Sequence, residues 1–146
     1  MDNVENNSKI KLSRSEEREQ AFMLLFSSMF DDEPLEEKIE DDTQLFEGGV
    51  CGYAQSLVGG ILDKADELDA DISKFLKQGW SVSRISKSSL AILRLAIYEI
   101  KYIESVPDSV SINEAVELAK KYTIDESKFV NGILGSYVRD NTEDAK

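Results

Sequence analysis

Apolar residues recur at three- and four-residue intervals along most of this chain, and no stretch keeps the two-residue alternation of a strand. The longest run lies between Trp80 and Ile103. There Leu90, Leu93, Ile97 and Ile100 mark one helix face, and Ala91, Ile92, Leu95, Ala96 and Tyr98 fill the others. A helix apolar nearly all round is a buried one, and Arg94, Glu99 and Lys101 interrupt this one too often for a membrane span, so it belongs at the centre of a helical bundle. Arg94, inside the run, has to reach solvent, an acidic partner or an anion. Ahead of it, Ser13 and Glu16 form a capping box that opens a first helix, with Phe22, Leu25, Phe26 and Met29 on its inner face and an end near Phe30. Asp31-Asp32-Glu33-Pro34 stops that helix and starts a short acidic one to about Glu40. Tyr53, Leu57, Val58, Ile61, Leu62, Ala65 and Leu68 keep helical spacing, which predicts one helix over 45–68 running through Gly59-Gly60. Paired glycines cost roughly 1 kcal/mol each against alanine, so they need a reason. With no strand before them and no Lys-Ser/Thr after them, that reason is a close helix crossing and not a phosphate loop.

Asp69 and Asp71 introduce a short helix with Ile72, Phe75 and Leu76 inward, stopped by Gly79. Val106-Pro107-Asp108 ends the central run. Ser111 and Glu114 then match a second capping box, ahead of a helix with Ile112, Ala115, Val116, Ala119 and Tyr122 inward. Asp125 to Ser127 start a last helix on Phe129, Val130, Ile133, Leu134, Tyr137 and Val138; its Asn131-Gly132 pair is a hairpin signal overruled by the helical period on both sides. The pattern suits a single all-helical domain over 13–139, between a flexible arm at 1–12 and a flexible tail at 140–146.

Composition narrows the chemistry. With 17 basic and 29 acidic residues the net charge is −12, which opposes a nucleic-acid partner. The distribution is uneven, however. Asp31 to Glu47 holds nine acids against Lys38, whereas Ile72 to Tyr102 sets Lys74, Lys77, Arg84, Lys87, Arg94 and Lys101 against Glu99 alone. The first helix also opens on Lys9, Lys11, Arg14 and Arg18 against Glu16 and Glu17. Histidine is absent and Cys51 is the single cysteine, which removes the commonest general base, the commonest metal ligand and any thiolate cluster. No catalytic residue, metal site or cofactor is expected. A lone cysteine with no opening apolar signal points to a reducing, cytoplasmic setting without a membrane anchor.

Taken together, WSVSRISKSSLAILRLAIYEI, VPDSVSINEAVELAKKY and KFVNGIL closely resemble the bacterial NusB family of transcription antitermination factors, and SRSEEREQAFMLLF is similar to that family's opening helix. The resemblance implies an all-α fold of about seven helices in two small packed bundles, with no enzymatic activity and no cofactor. It also implies a role. With ribosomal protein S10 as partner, the family binds boxA-type single-stranded RNA and seeds an antitermination complex on RNA polymerase that supports ribosomal RNA transcription. Carried onto this chain, the family's RNA surface falls on Lys11, Arg14 and Arg18 in the basic motif, Phe26 as the aromatic, Arg94 in the ILRLAIYE block, and Lys128 and Phe129 at the last helix. Arginines suit phosphates and base faces, and an aromatic offers a stacking platform.

Three departures bear on that role. Arg14-Ser15-Glu16-Glu17-Arg18 puts two carboxylates where the family has consecutive bases. Ser89-Leu90 stands where it commonly has an acid and a base, near its ribosomal-partner surface. TIDESKF is one residue short, so the family's acid there matches either Asp125 or Glu126. These changes leave a second reading open: a protein-interaction module of the same fold with little RNA binding, as a homodimer through the same surface.

Overall fold

The computed structural model describes residues 11–42, 46 and 48–144, and over them every regular element is a helix. Seven α-helices follow in order: α1 (Arg14–Ser28), α2 (Leu35–Asp42), α3 (Gly52–Asp63), α4 (Ala65–Ser73), α5 (Lys87–Tyr102), α6 (Asp108–Tyr122) and α7 (Ser127–Asp144). A single 3-10 turn, Val82–Arg84, lies between α4 and α5. The chain divides into two compact units, Met1–Gly59 and Gly60–Lys146, at the glycine pair within α3. Most of the expected N-terminal arm, and Leu45 at the start of the expected third helix, lie outside the described residues.

In the first unit the Ser13 capping box forms as the sequence predicts: its hydroxyl accepts from the Glu16 N–H at 3.1 Å and the Glu16 carboxylate accepts from the Ser13 N–H at 2.8 Å. Ala21, Phe22, Leu24 and Leu25 of α1 are buried. Gln20 ties α1 to the approach of α3, accepting from the Cys51 N–H at 2.8 Å and donating to the Gly49 carbonyl at 3.4 Å. The acidic turn has an unexpected anchor. Lys38, the one base among nine acids, is buried and its ammonium lies 2.9 Å from Asp31 and 3.5 Å from Glu33, with Ser27 Oγ at 3.0 Å. The hydrogen bond from Lys38, then that from the Glu33 N–H, holds the Asp31 carboxyl below its ordinary value.

The second unit is organised around α5, which packs against α4, α6 and α7. Ser89 to Leu93, Leu95 to Ile97 and Glu99 are buried, as a helix apolar on all sides requires. The helix is shorter than the run that announced it. It starts at Lys87, where Ser86 caps it by accepting from the Ser89 N–H, because Trp80 to Arg84 are spent on a turn. Gly79 initiates that turn at φ +90°, a left-handed conformation suited to glycine.

Three sequence expectations give way to tertiary structure. The helix expected over 45–68 is two helices, since Lys64 leaves the helical conformation (φ −115°, ψ 20°) and α4 restarts behind it with Asp66 and Glu67 in its first turn. Gly60 still makes the close approach. A Cβ there would stand 2.1 Å from the Tyr98 hydroxyl oxygen, whereas at Gly59 the nearest atom is an ordinary 3.8 Å away. The Ser111–Glu114 capping box does not form: α6 begins earlier, at Asp108 behind Pro107, and Ser111 is buried inside it, donating to the Glu99 carboxylate at 3.2 Å. Pro107, with its φ of −62° already near the helical value, is the better start signal. At the other end α7 continues to Asp144, past Arg139.

Candidate nucleic-acid interface

The candidate residues fall into one group in each unit. In the first, the Ser13 cap fixes the start of α1, so the exposed Lys11 and Arg14 stand at its opening. Arg14 does not float. Its guanidinium carbon lies 3.7 Å from the centroid of the Tyr53 ring on α3, and its NH1 is 3.2 Å from the Glu17 carboxylate, with the side chain 53% exposed. Arg18, one turn on, is only 3% exposed and already engaged in interactions. Phe26 is half-buried in an aromatic ladder: it stacks on Phe22 (5.7 Å, 17°) and meets the exposed Phe30 edge-on (5.0 Å, 78°). Tyr53 lies against an exposed base, a pairing between residues 39 positions apart that α-helical spacing along the chain does not reveal.

In the second unit Arg94 meets the acidic partner its position demanded. Its Nε and NH2 donate to the two carboxylate oxygens of Asp69 at 2.8 and 2.7 Å, a bidentate pair clamping α5 to α4. Lys101 is held likewise, 2.7 Å from Glu67 and 2.8 Å from Asp71. Burial pulls its pKa down, but Asp71 and Glu67 more than offset that and hold it above its ordinary value. Two members of the basic strip are therefore neutralised by acids that precede it in sequence. Lys74, Lys77, Arg84 and Lys87 remain exposed.

Lys128 and Phe129, at the start of α7, come together with residues that motif reasoning had not joined to them. They line a cavity of about 700 Å³ whose apolar wall includes Phe75, Ile85 and Ile133 and whose rim carries Trp80, Arg84 and Lys77. Trp80 is 50% exposed, and the Arg84 guanidinium lies 5.3 Å from its ring and donates to the Gly79 carbonyl at 3.3 Å. The signal for this pair was the WSVSR segment itself, an aromatic and a base four residues apart ahead of the central helix. One wall is acidic. Glu126 accepts from Ser86 Oγ at 2.6 Å and also from the buried Ser89 Oγ, while Asp125 before it turns the chain at φ 57°. Serine at 89 is thus a donor to Glu126, where an acid would set two carboxylates against each other.

Comparison with known proteins gives this geometry its class. The fold is shared with the solved NusB of T. maritima, with a TM-score of 0.77, 34% sequence identity and coverage of 89% of this chain and 93% of that one. It is also shared with a structure of the antitermination factors NusB and NusE in complex with dsRNA, at a TM-score of 0.75 and 26% identity over 87% of this chain and 96% of that one. The class is that of transcription antitermination factors, which are not enzymes. The NusB family model matches residues 15–139, and the transcription antitermination protein NusB of Lacticaseibacillus casei (strain BL23) is 43% identical over 128 residues, 87% of this chain and 95% of that protein. The chain belongs to the NusB family of transcription antitermination proteins. Among the described residues no helix is long and apolar enough to cross a membrane.

Proposed function

We propose that this protein binds boxA-like single-stranded RNA in the cytoplasm together with ribosomal protein S10, and that the pair joins an RNA polymerase antitermination complex supporting ribosomal RNA transcription. The observation that carries the reading is the second-unit cavity, whose lining brings the aromatics Trp80 and Phe129 together with the bases Lys77, Arg84 and Lys128. Unstacked bases need aromatic or guanidinium faces, and phosphates need cations, so this lining offers both halves of single-strand recognition. A protein of the same fold solved with NusE, which is ribosomal protein S10, and dsRNA supports the partnership. At the opening of α1, Lys11 adds a cation and Arg14 a guanidinium plane. Phe26, packed within its ladder, Arg18, buried, and Arg94, clamped to Asp69, hold the binding residues' scaffold in shape.

With Arg14, Arg94 and Lys101 each beside an acid, affinity for RNA alone is modest, and the partner's charge and surface raise it. Replacing Lys128 or Arg84 by alanine is expected to weaken binding of boxA-like RNA by the S10 complex about fivefold. It should also lower the slope of log K against log salt by about one phosphate contact, with the melting temperature unchanged. Unchanged affinity and slope in both variants would remove this face from the account.

A second reading has its own support. The Glu17 carboxylate against Arg14 and the net charge of −12 favour a module that binds protein and not RNA, acting as a homodimer. For that module, S10 binding or self-association would persist with no RNA enhancement.

A further inference from the structure

We infer that Tyr53 is a positioning residue that holds the Arg14 guanidinium flat, so that its outer face serves as a platform for one unpaired RNA base. This rests on the RNA-binding reading above and adds to it a residue from α3 and a mode of contact for α1. Three observations lead there. The 3.7 Å separation of the Arg14 guanidinium carbon from the Tyr53 ring centroid is a stacking distance, and it covers one face of the group. More than half of the side chain is exposed all the same, so it stays open to a ligand. Glu17, 3.2 Å from NH1, compensates the charge, so Arg14 is ill placed to pair with a phosphate but keeps its planar surface.

A base laid on that surface would complete a stack of tyrosine, guanidinium and base. Guanidinium planes are used in this way for splayed-out RNA bases, and the contact is tolerant of sequence because every base has a π-face. The geometry also explains how a basic motif interrupted by Glu16 and Glu17 can still contribute: what it presents is a flat surface more than a charge. Phe26 cannot do the same work as readily, since Phe22 and Phe30 already occupy its neighbourhood at 5.7 and 5.0 Å.

The test uses the full chain with S10 and a boxA-like RNA, together with a set of that RNA's variants, each lacking one base while keeping its phosphate. Tyr53→Leu and Arg14→Lys should each weaken binding about tenfold with the salt slope unchanged, and the double variant should be no weaker than either single one. Tyr53→Phe should bind as the parent does. One abasic position should weaken the parent protein to the same extent and cost Tyr53→Leu nothing further. Arg14→Lys lies on the surface, so the result does not hang on how well Tyr53→Leu folds. The inference is overturned if Arg14→Lys binds normally, or if the losses are uniform over all abasic variants and carried by a lower salt slope. If the parent protein binds no RNA with or without S10, the RNA-binding reading fails first and takes this one with it.

Discussion

Replacing Gly60 by alanine is expected to destabilise the protein by about 2 kcal/mol, although alanine is the better helix former by about 1 kcal/mol. The reason is Tyr98. A methyl group at position 60 would sit 2.1 Å from its hydroxyl oxygen, 2.4 Å from Cζ and 2.9 Å from Cε1, so the whole ring has to move. Tyr98 is half-buried on α5 and its ring lies 5.1 Å from that of Tyr102, which leaves it few places to go. The decisive comparison is the same substitution in a Tyr98→Leu background. There the clash is gone and alanine should stabilise by about 1 kcal/mol, the propensity gain alone. Chemical denaturation of the four proteins checks both signs. A stabilising Gly60→Ala in the parent would mean that the Tyr98 ring is free to move aside.

Removing the carboxylate of Asp69 should cost about 2 kcal/mol, less than for a fully buried pair because the Arg94 and Asp69 side chains keep 15% and 27% exposure. Asp69→Ala strands the largely buried Arg94 guanidinium without its partner, whereas Arg94→Met replaces it with an uncharged side chain. The double variant should therefore be more stable than Asp69→Ala, with a coupling of about 1–3 kcal/mol in the cycle. Arg94→Met, once folded, should bind RNA as the parent protein does, because the clamp to Asp69 already uses Nε and NH2. A loss of RNA affinity in Arg94→Met at unchanged stability would return Arg94 to the binding surface.

These two sites show where the sequence was legible. Patterns carried by one helix were read correctly: the Ser13–Glu16 box, the buried α5, and a glycine pair that needed a close neighbour. Features decided by a distant residue were not. Nothing local says that Arg94 meets Asp69, 25 positions earlier, or that Arg14 lies on Tyr53. The same holds for Ser111, whose match to a capping box was genuine as a pattern but whose hydroxyl went to Glu99 across the α5–α6 packing. Lys64 breaks a helix whose apolar spacing runs on without interruption, because spacing reports which face is buried and not whether the backbone continues. The resemblance to the NusB family placed Lys128 and Phe129 at the start of α7, and the fold supplied their companions Trp80 and Arg84.

The most direct measurement is a salt-titrated binding isotherm of boxA-like RNA against this protein, with and without S10 from the same organism. The account predicts weak binding alone, a gain of at least tenfold with S10, and a clear fall of affinity with salt. Binding to S10 with no change in RNA affinity would contradict it, and would leave an antitermination-family protein that works through protein contacts alone.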